Sequence, residues 1–234
     1  MIEALRFSHF FKTPIFRGSR PTLRIFNRLL YFLFFFCTLT LLASDGSTDY
    51  FLNTSYHDFQ GKNVICFGDS ITYGIGASHG HDYPSLLGQA LGVKVINAGV
   101  DGDNTEDALK RLETDVLSKN PGLVVILLGG NDYLDRIPLS KTFENLDIII
   151  RRIRATGASV VVVEIGASIL GKPVQNRWDK LVMENQVPFV SYILSSYFFD
   201  RELKSDNLHP NDMGYEIVAG RILQVVKPIL KHNS

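Results

Sequence analysis

A serine follows a short apolar run in Val64-Ile65-Cys66-Phe67-Gly68-Asp69-Ser70, and a histidine stands far downstream in Asp206-Asn207-Leu208-His209-Pro210. A serine hydroxyl is a weak nucleophile near neutral pH and needs a base to take its proton. An imidazole can do this, and a carboxylate on its other nitrogen fixes the tautomer and stabilises the imidazolium. Asp206 and His209, three apart on one tight loop, can present such a pair, and Pro210 holds His209 in extended geometry. Acyl transfer also needs donors aimed at the oxyanion of the tetrahedral intermediate. The amides of Ser70 and Gly102 and the side-chain amide of Asn131 are the candidates, and Gly102 allows close backbone approach. Chemistry of this kind needs no metal and no cofactor, and none is expected.

Each residue also has an ordinary structural reading. Ser70 alone could cap a helix. His209 alone could be a structural histidine before a proline, and Gly102 and Asn131 could be turn residues only. Asp69 and Asp132 are read as loop braces that bond backbone amides rather than as acids. Gly76-Ala77-Ser78-His79-Gly80 spells the nucleophile-elbow pattern of another hydrolase fold, but no convincing strand precedes it, so Ser78 is expected to be a loop residue. His79, His81 and Asp82 lack further ligands for a metal, and Asp101-Gly102-Asp103-Asn104 lacks calcium-loop spacing.

These residues must be held by the elements between them. From residue 61 the pattern alternates strand and helix, with no internal repeat or low-complexity tract. Strands are predicted at Val64–Phe67, Val93–Asn97, Leu123–Leu128, Val160–Ile165 and Pro188–Ile193. Helices are predicted from Tyr83 to Leu91, Thr105 to Lys119, Lys141 to Ala155, around Val174–Val182 and from Asp212 to Leu230. Alternation of this kind predicts an α/β fold: a three-layer α/β/α sandwich on a five-stranded parallel sheet with right-handed crossovers. A flavodoxin-like order 2-1-3-4-5 follows from the class, and places ligands at the carboxyl ends of the strands. Gly68-Asp69-Ser70, Asn97 to Thr105 and Gly129-Gly130-Asn131-Asp132 each fall at such an end, and Asp206 to His209 just precedes the last helix.

These four clusters, in this order, resemble the SGNH (GDSL-type) hydrolase superfamily, and most of all its bacterial thioesterase/lysophospholipase/arylesterase group. The likeness covers residues 64 to about 230. Gly68-Asp69-Ser70-Ile71-Thr72-Tyr73-Gly74 resembles the nucleophile block, which gives Ser70 the nucleophile role. Gly102 and Asn131 match the oxyanion glycine and asparagine, and Asp206 and His209 match the acid and base of Asp-x-x-His-Pro. The first 60 residues and the loop 166–176 match poorly. The resemblance implies a serine esterase that cleaves carboxylic esters or thioesters through an acyl-enzyme. A carbohydrate O-acetyl esterase is the runner-up, and a non-catalytic binding module on a hydrolase scaffold is the reading from another class. Ile169-Leu170 and Ser196-Tyr197-Phe198-Phe199 are candidates to wall an acyl groove, which favours lipid-like or aryl esters.

The 234 residues, 45% of them hydrophobic, suffice for one sizeable core. Net charge is zero, but residues 1–28 carry six basic side chains against Glu3 alone. The acidic remainder, with no basic stripe, argues against a nucleic-acid partner. Leu29 to Ser44 carries no charge, and as a helix it would rise only ~22 Å, short of the ~30 Å hydrocarbon core. Residues 1–44 are therefore expected to be a basic leader with a hydrophobic signal, or else an uncleaved tether through residues 29–43. Residues 45–60 read as a linker and 61–234 as the hydrolase domain, delivered outside the cytoplasm. Two cysteines, Cys37 and Cys66, form no disulfide or metal pattern, and Cys66 is expected to be a small buried apolar residue.

Overall fold

Leu123–Leu128 and Val160–Val163 are unbroken apolar runs because the strands they form are covered on both sides. The computed structural model describes residues 62–166, 171–191, 193 and 200–231. Five strands form one parallel sheet: β1 (Asn63–Gly68), β2 (Val95–Gly99), β3 (Pro121–Leu127), β4 (Ser159–Val163) and β5 (Phe189–Val190). Their order is β2-β1-β3-β4-β5, the arrangement expected from the class. All seven residues of the central β3 are buried.

Successive side chains of a strand point to opposite faces, and the core divides accordingly. Ile65, Phe67, Val124, Ile126, Val160 and Val162 pack on one face, whereas Val64, Cys66, Leu123, Val125, Val161 and Val163 pack on the other. The first face is covered by α3 (Thr105–Asp115), α5 (Leu139–Arg154) and α6 (Lys172–Asn185). α5 buries Phe143, Leu146, Ile149, Ile150 and Ile153, a spacing of three and four that makes a single apolar stripe. The second face is covered by α2 (Tyr83–Leu91) and α7 (Asp212–Lys231) through Tyr83, Leu87, Tyr215, Val218 and Ile222. Cys66 is buried and free, and burial pushes its thiol well above the usual range.

Two short helices open directly from strand ends: α1 (Ser70–Tyr73) after β1, and α4 (Gly130–Leu134) after β3. They turn the carboxyl edge of the sheet into a shelf of side chains.

Several predicted limits move. β2 begins at Val95 rather than Val93, because the Val93 amide still bonds back to the Gly88 carbonyl at 3.2 Å, just past the left-handed Gly92 that caps α2. α3 ends at Asp115, since Val116 leaves helical geometry before a 3-10 turn at Leu117–Lys119. β3 opens at Pro121, two residues before the predicted Leu123, after Asn120 turns the chain at φ 50°. β4 runs Ser159–Val163, α5 starts at Leu139, and β5 shortens to Phe189–Val190 on the sheet edge. Among the described residues no helix is long and apolar enough to cross a membrane. The leader, the linker and the suggested groove residues 169–170 and 196–199 lie outside the described residues.

Candidate active site

β1 delivers Ser70 to the shelf as the first residue of α1. Asp69 caps that one-turn helix, accepting the Ile71 amide at 3.0 Å, and Gly74 ends it in left-handed geometry. Ser70 is nearly buried. Asp69 is buried beside it, and burial pushes its carboxyl up to about 7 against the opposing pull of the Ile71 amide and of His209.

The downstream loop reaches the same point from the other end of the chain. His209 Nε2 lies 2.9 Å from Ser70 Oγ, and His209 Nδ1 lies 2.8 Å from Asp206 Oδ2. A carboxylate only accepts, so Nδ1 carries the proton and Nε2 is left to accept from the serine hydroxyl. Asp206 Oδ1 also accepts the amides of Leu208 and His209 at 2.7 and 2.8 Å. The His209 hydrogen bond first, then those two amides, hold the Asp206 carboxyl down at about 2.

The loop is closed on itself, and the start of α7 behind it is tied to residues 75–78. His209 O accepts the Ser205 amide at 3.0 Å, and Leu203 O accepts the Asn211 amide at 3.0 Å. Ser78, the serine of the elbow-like pattern, is a loop residue as expected. It donates through amide and hydroxyl to Asp212 at 2.7 and 2.6 Å, and Tyr215 Oη donates to Ile75 O at 2.8 Å. Gly76 allows this docking: a Cβ there would stand 2.0 Å from Ser205 Oγ.

The other two strand ends supply the candidate donors. After β3, Gly129 turns at φ 108° and α4 begins, which sets Asn131 in its first turn. Asn131 Nδ2 donates one hydrogen to Asp103 O at 2.8 Å, leaving the second for another acceptor. After β2, Gly102 sits in a turn at φ 80° with open space where a Cβ would be. A cavity of about 480 Å³ opens from Ser70, His209 and Asn131 across the ends of β3 and β4, with Leu139, Phe143, Ile165 and Trp178 among its apolar walls. Phe143 meets Trp178 edge to face at 5.0 Å between centroids, and Trp178 stacks on Phe189 at 5.8 Å. Gly102 itself is not on the cavity wall; its neighbour Asp101 is.

Asp69 and Asp132 are the braces expected of them, Asp132 accepting the Thr105 amide at 2.8 Å. Among the described residues no group of three or more His, Cys, Asp or Glu could hold a metal ion. One residue escaped the sequence reading. Arg111, on α3, donates to Gly68 O and Ala98 O, each at 2.9 Å, and to the carboxylates of Asp103 and Asp115. Its only trace in sequence is the i,i+4 pairing with Asp115 on a helix that follows Gly102.

A parallel α/β sheet whose carboxyl edge gathers a serine, a histidine and an aspartate in one hydrogen-bonded chain has the arrangement of a serine hydrolase. The chain belongs to the GDSL-like lipase/acylhydrolase family, whose match spans residues 66–217. It is similar to the arylesterase of Vibrio mimicus, 30% identical over 216 residues, covering 88% of this chain and 98% of the relative. It is also similar to "Thioesterase 1/protease 1/lysophospholipase L1" of Escherichia coli (strain K12), 25% identical over 179 residues, covering 73% and 86%. Among solved structures, that of TesA superposes with a TM-score of 0.67 over 72% of this chain and 99% of its own, and at 24% identity it speaks for the fold.

Proposed function

We propose that the chain is a serine esterase that hydrolyses carboxylic esters or thioesters with an apolar acyl part, through an acyl-enzyme on Ser70. In this reading His209 takes the Ser70 proton as the hydroxyl oxygen attacks the carbonyl. Asp206 holds the imidazole tautomer and stabilises the imidazolium. The oxyanion rests on the Ser70 and Gly102 amides and on the free hydrogen of Asn131 Nδ2. His209 then protonates the leaving alkoxide, phenoxide or thiolate. Water, deprotonated by the same imidazole, attacks the acyl-enzyme, and the carboxylate product leaves. His209 must be neutral at Nε2 to take the Ser70 proton.

The observation that carries this reading is the 2.9 Å contact of Ser70 Oγ with His209 Nε2, backed by the 2.8 Å contact to Asp206. The aromatic and aliphatic cavity beside Ser70 supports an apolar acyl group. The basic leader with its uncharged segment 29–44 supports export or tethering outside the cytoplasm.

The test is a chain-length profile on p-nitrophenyl esters from acetate to decanoate, with Ser70→Ala as control, and fluorophosphonate labelling mapped by mass spectrometry. The label should fall on Ser70, and the alanine variant should lose roughly three or more orders of magnitude in turnover. Retained hydrolysis in that variant excludes Ser70 as nucleophile. A profile confined to acetate, with release of acetate from acetylated polysaccharide, moves the reading to a carbohydrate O-acetyl esterase.

A further inference from the structure

Arg111 occupies a position that no step of the proposed reaction uses. Its side chain is only 16% exposed. The guanidinium lies 4.5 Å from the centroid of the Phe67 ring. Four of its five N–H groups are committed. Nε donates to Asp103 Oδ2, Nη1 to Ala98 O at 2.9 Å and Asp115 Oδ2 at 3.0 Å, and Nη2 to Gly68 O at 2.9 Å. A planar fork with fixed donor directions can satisfy that set, whereas an ammonium is a single point with three rotating donors.

Its partners are not scattered. Gly68 is the last residue of β1, two before Ser70, so its carbonyl is fixed just ahead of the Ser70 amide. Ala98 lies at the end of β2, where the chain leaves for the turn that holds Gly102. Asp103 directly follows Gly102, and its main-chain carbonyl takes one hydrogen of Asn131 Nδ2 at 2.8 Å. One cation therefore touches the supports of all three proposed oxyanion donors, each from a different strand end. Asp103 is itself buried, so this charged pair is screened little by solvent.

We propose that Arg111 is the positioning residue of the oxyanion site: it sets the Gly102–Asp103 turn against the Ser70 strand end and, through Asp103, aims the Asn131 amide. The inference rests on the oxyanion role proposed above for Ser70, Gly102 and Asn131. Arg111 is not on the cavity wall and touches no reacting atom. Its effect belongs to the transition state, where donors misplaced by a fraction of an ångström lose their hold on the developing charge.

The experiment is a set of variants of the full chain, assayed on one p-nitrophenyl ester well below their melting temperatures: Arg111→Lys, Asn131→Ala, the double variant, and Asp115→Ala. Arg111→Lys keeps the charge and loses the fork; kcat should fall about tenfold to a hundredfold with KM within about threefold. In the Asn131→Ala background the same change should cost less than in the parent, because one of the three donors it positions is already gone. Asp115→Ala removes the guanidinium partner that lies outside the site, and should leave kcat within about twofold. If Arg111→Lys does not fold, Asp103→Asn reads the same link by removing the charge at unchanged shape, with the same kcat loss expected. Multiplicative losses in the double variant, or an unchanged kcat in Arg111→Lys and Asp103→Asn, would overturn the positioning role. A normal kcat in Asn131→Ala would instead overturn the oxyanion reading on which it stands.

Discussion

The carboxylate of Asp132 accepts both the amide of Thr105, at 2.8 Å, and its hydroxyl, at 2.5 Å. The same hydroxyl accepts Asn145 Nδ2 at 3.0 Å, so three helices meet on one buried polar knot. Asp132 follows Asn131, and Thr105 opens α3, the helix that carries Arg111. The knot therefore ties the segment after β2 to the segment after β3. Asp132→Ala would leave two buried donors without an acceptor, and should cost about 3 kcal/mol of stability. Urea unfolding at unchanged slope checks this, and a loss below about 1 kcal/mol would contradict it.

Gly76 and Gly80 share a backbone conformation, at φ 87° and 82°, but only Gly76 is crowded. A Cβ on Gly76 would stand 2.0 Å from Ser205 Oγ and 2.4 Å from Pro210 O, while at Gly80 nothing lies within 4 Å. Both alanine variants meet the left-handed strain of about 1 kcal/mol. Gly76→Ala should also push the Asp206–His209 loop away from Ser70 and lower kcat by tenfold or more. Equal activities in the two variants would show that the contact is not needed.

Asp69 gives the stability a pH dependence. Its carboxyl is pushed from 3.8 up to about 7 by burial, so the folded chain holds that proton more tightly than the unfolded chain. Stability from this group is full below about pH 4 and declines as pH rises towards 7. Asp69→Asn keeps a capping oxygen without the titration. Across that window the wild type should lose stability relative to the variant, as read by urea midpoints at several pH values. Parallel profiles would refute it.

Asp206 works in the opposite sense. Hydrogen bonds hold its carboxyl at about 2, below 3.8, so its contribution is present above about pH 4 and is lost as pH falls through 2. Asp206→Asn should flatten the acid limb of the unfolding profile. It should also lower kcat by about three orders of magnitude, because an amide can hold the wrong tautomer of His209. Intact turnover in this variant would remove Asp206 from the mechanism.

Much of this site was legible from local pattern. Ser70, the Gly102 turn and Asn131 each interrupt an apolar run, and in a parallel sheet the ends of such runs share one edge, while the Asp206–His209 loop shows only as a local pattern ahead of the last helix. Arg111 was not legible, because three of its partners are the carbonyls of Gly68 and Ala98 and the carboxylate of Asp103, which depend on how strands lie side by side. Helix periodicity marks Arg111 only as polar. Strand limits moved for a similar reason: β2 starts at Val95 because register with Val64 of β1 decides pairing, whatever the β-propensity of Val93. Gly76 was seen as part of a misleading pattern, and its use emerged only once Ser205 and Pro210 stood against it.

Ser70 and its hydrogen-bond partner His209 are separated by 139 positions. At about 5–20 residues per second, a ribosome makes the serine on the order of ten seconds before the histidine. Through that interval the nascent polypeptide carries a serine whose hydroxyl has no imidazole to bond, and the contact forms only when the loop before α7 is made. A stop ahead of Asp206 would take away both hydrogen-bond partners of the Ser70 relay together with Tyr215, Val218 and Ile222, the cover of one sheet face.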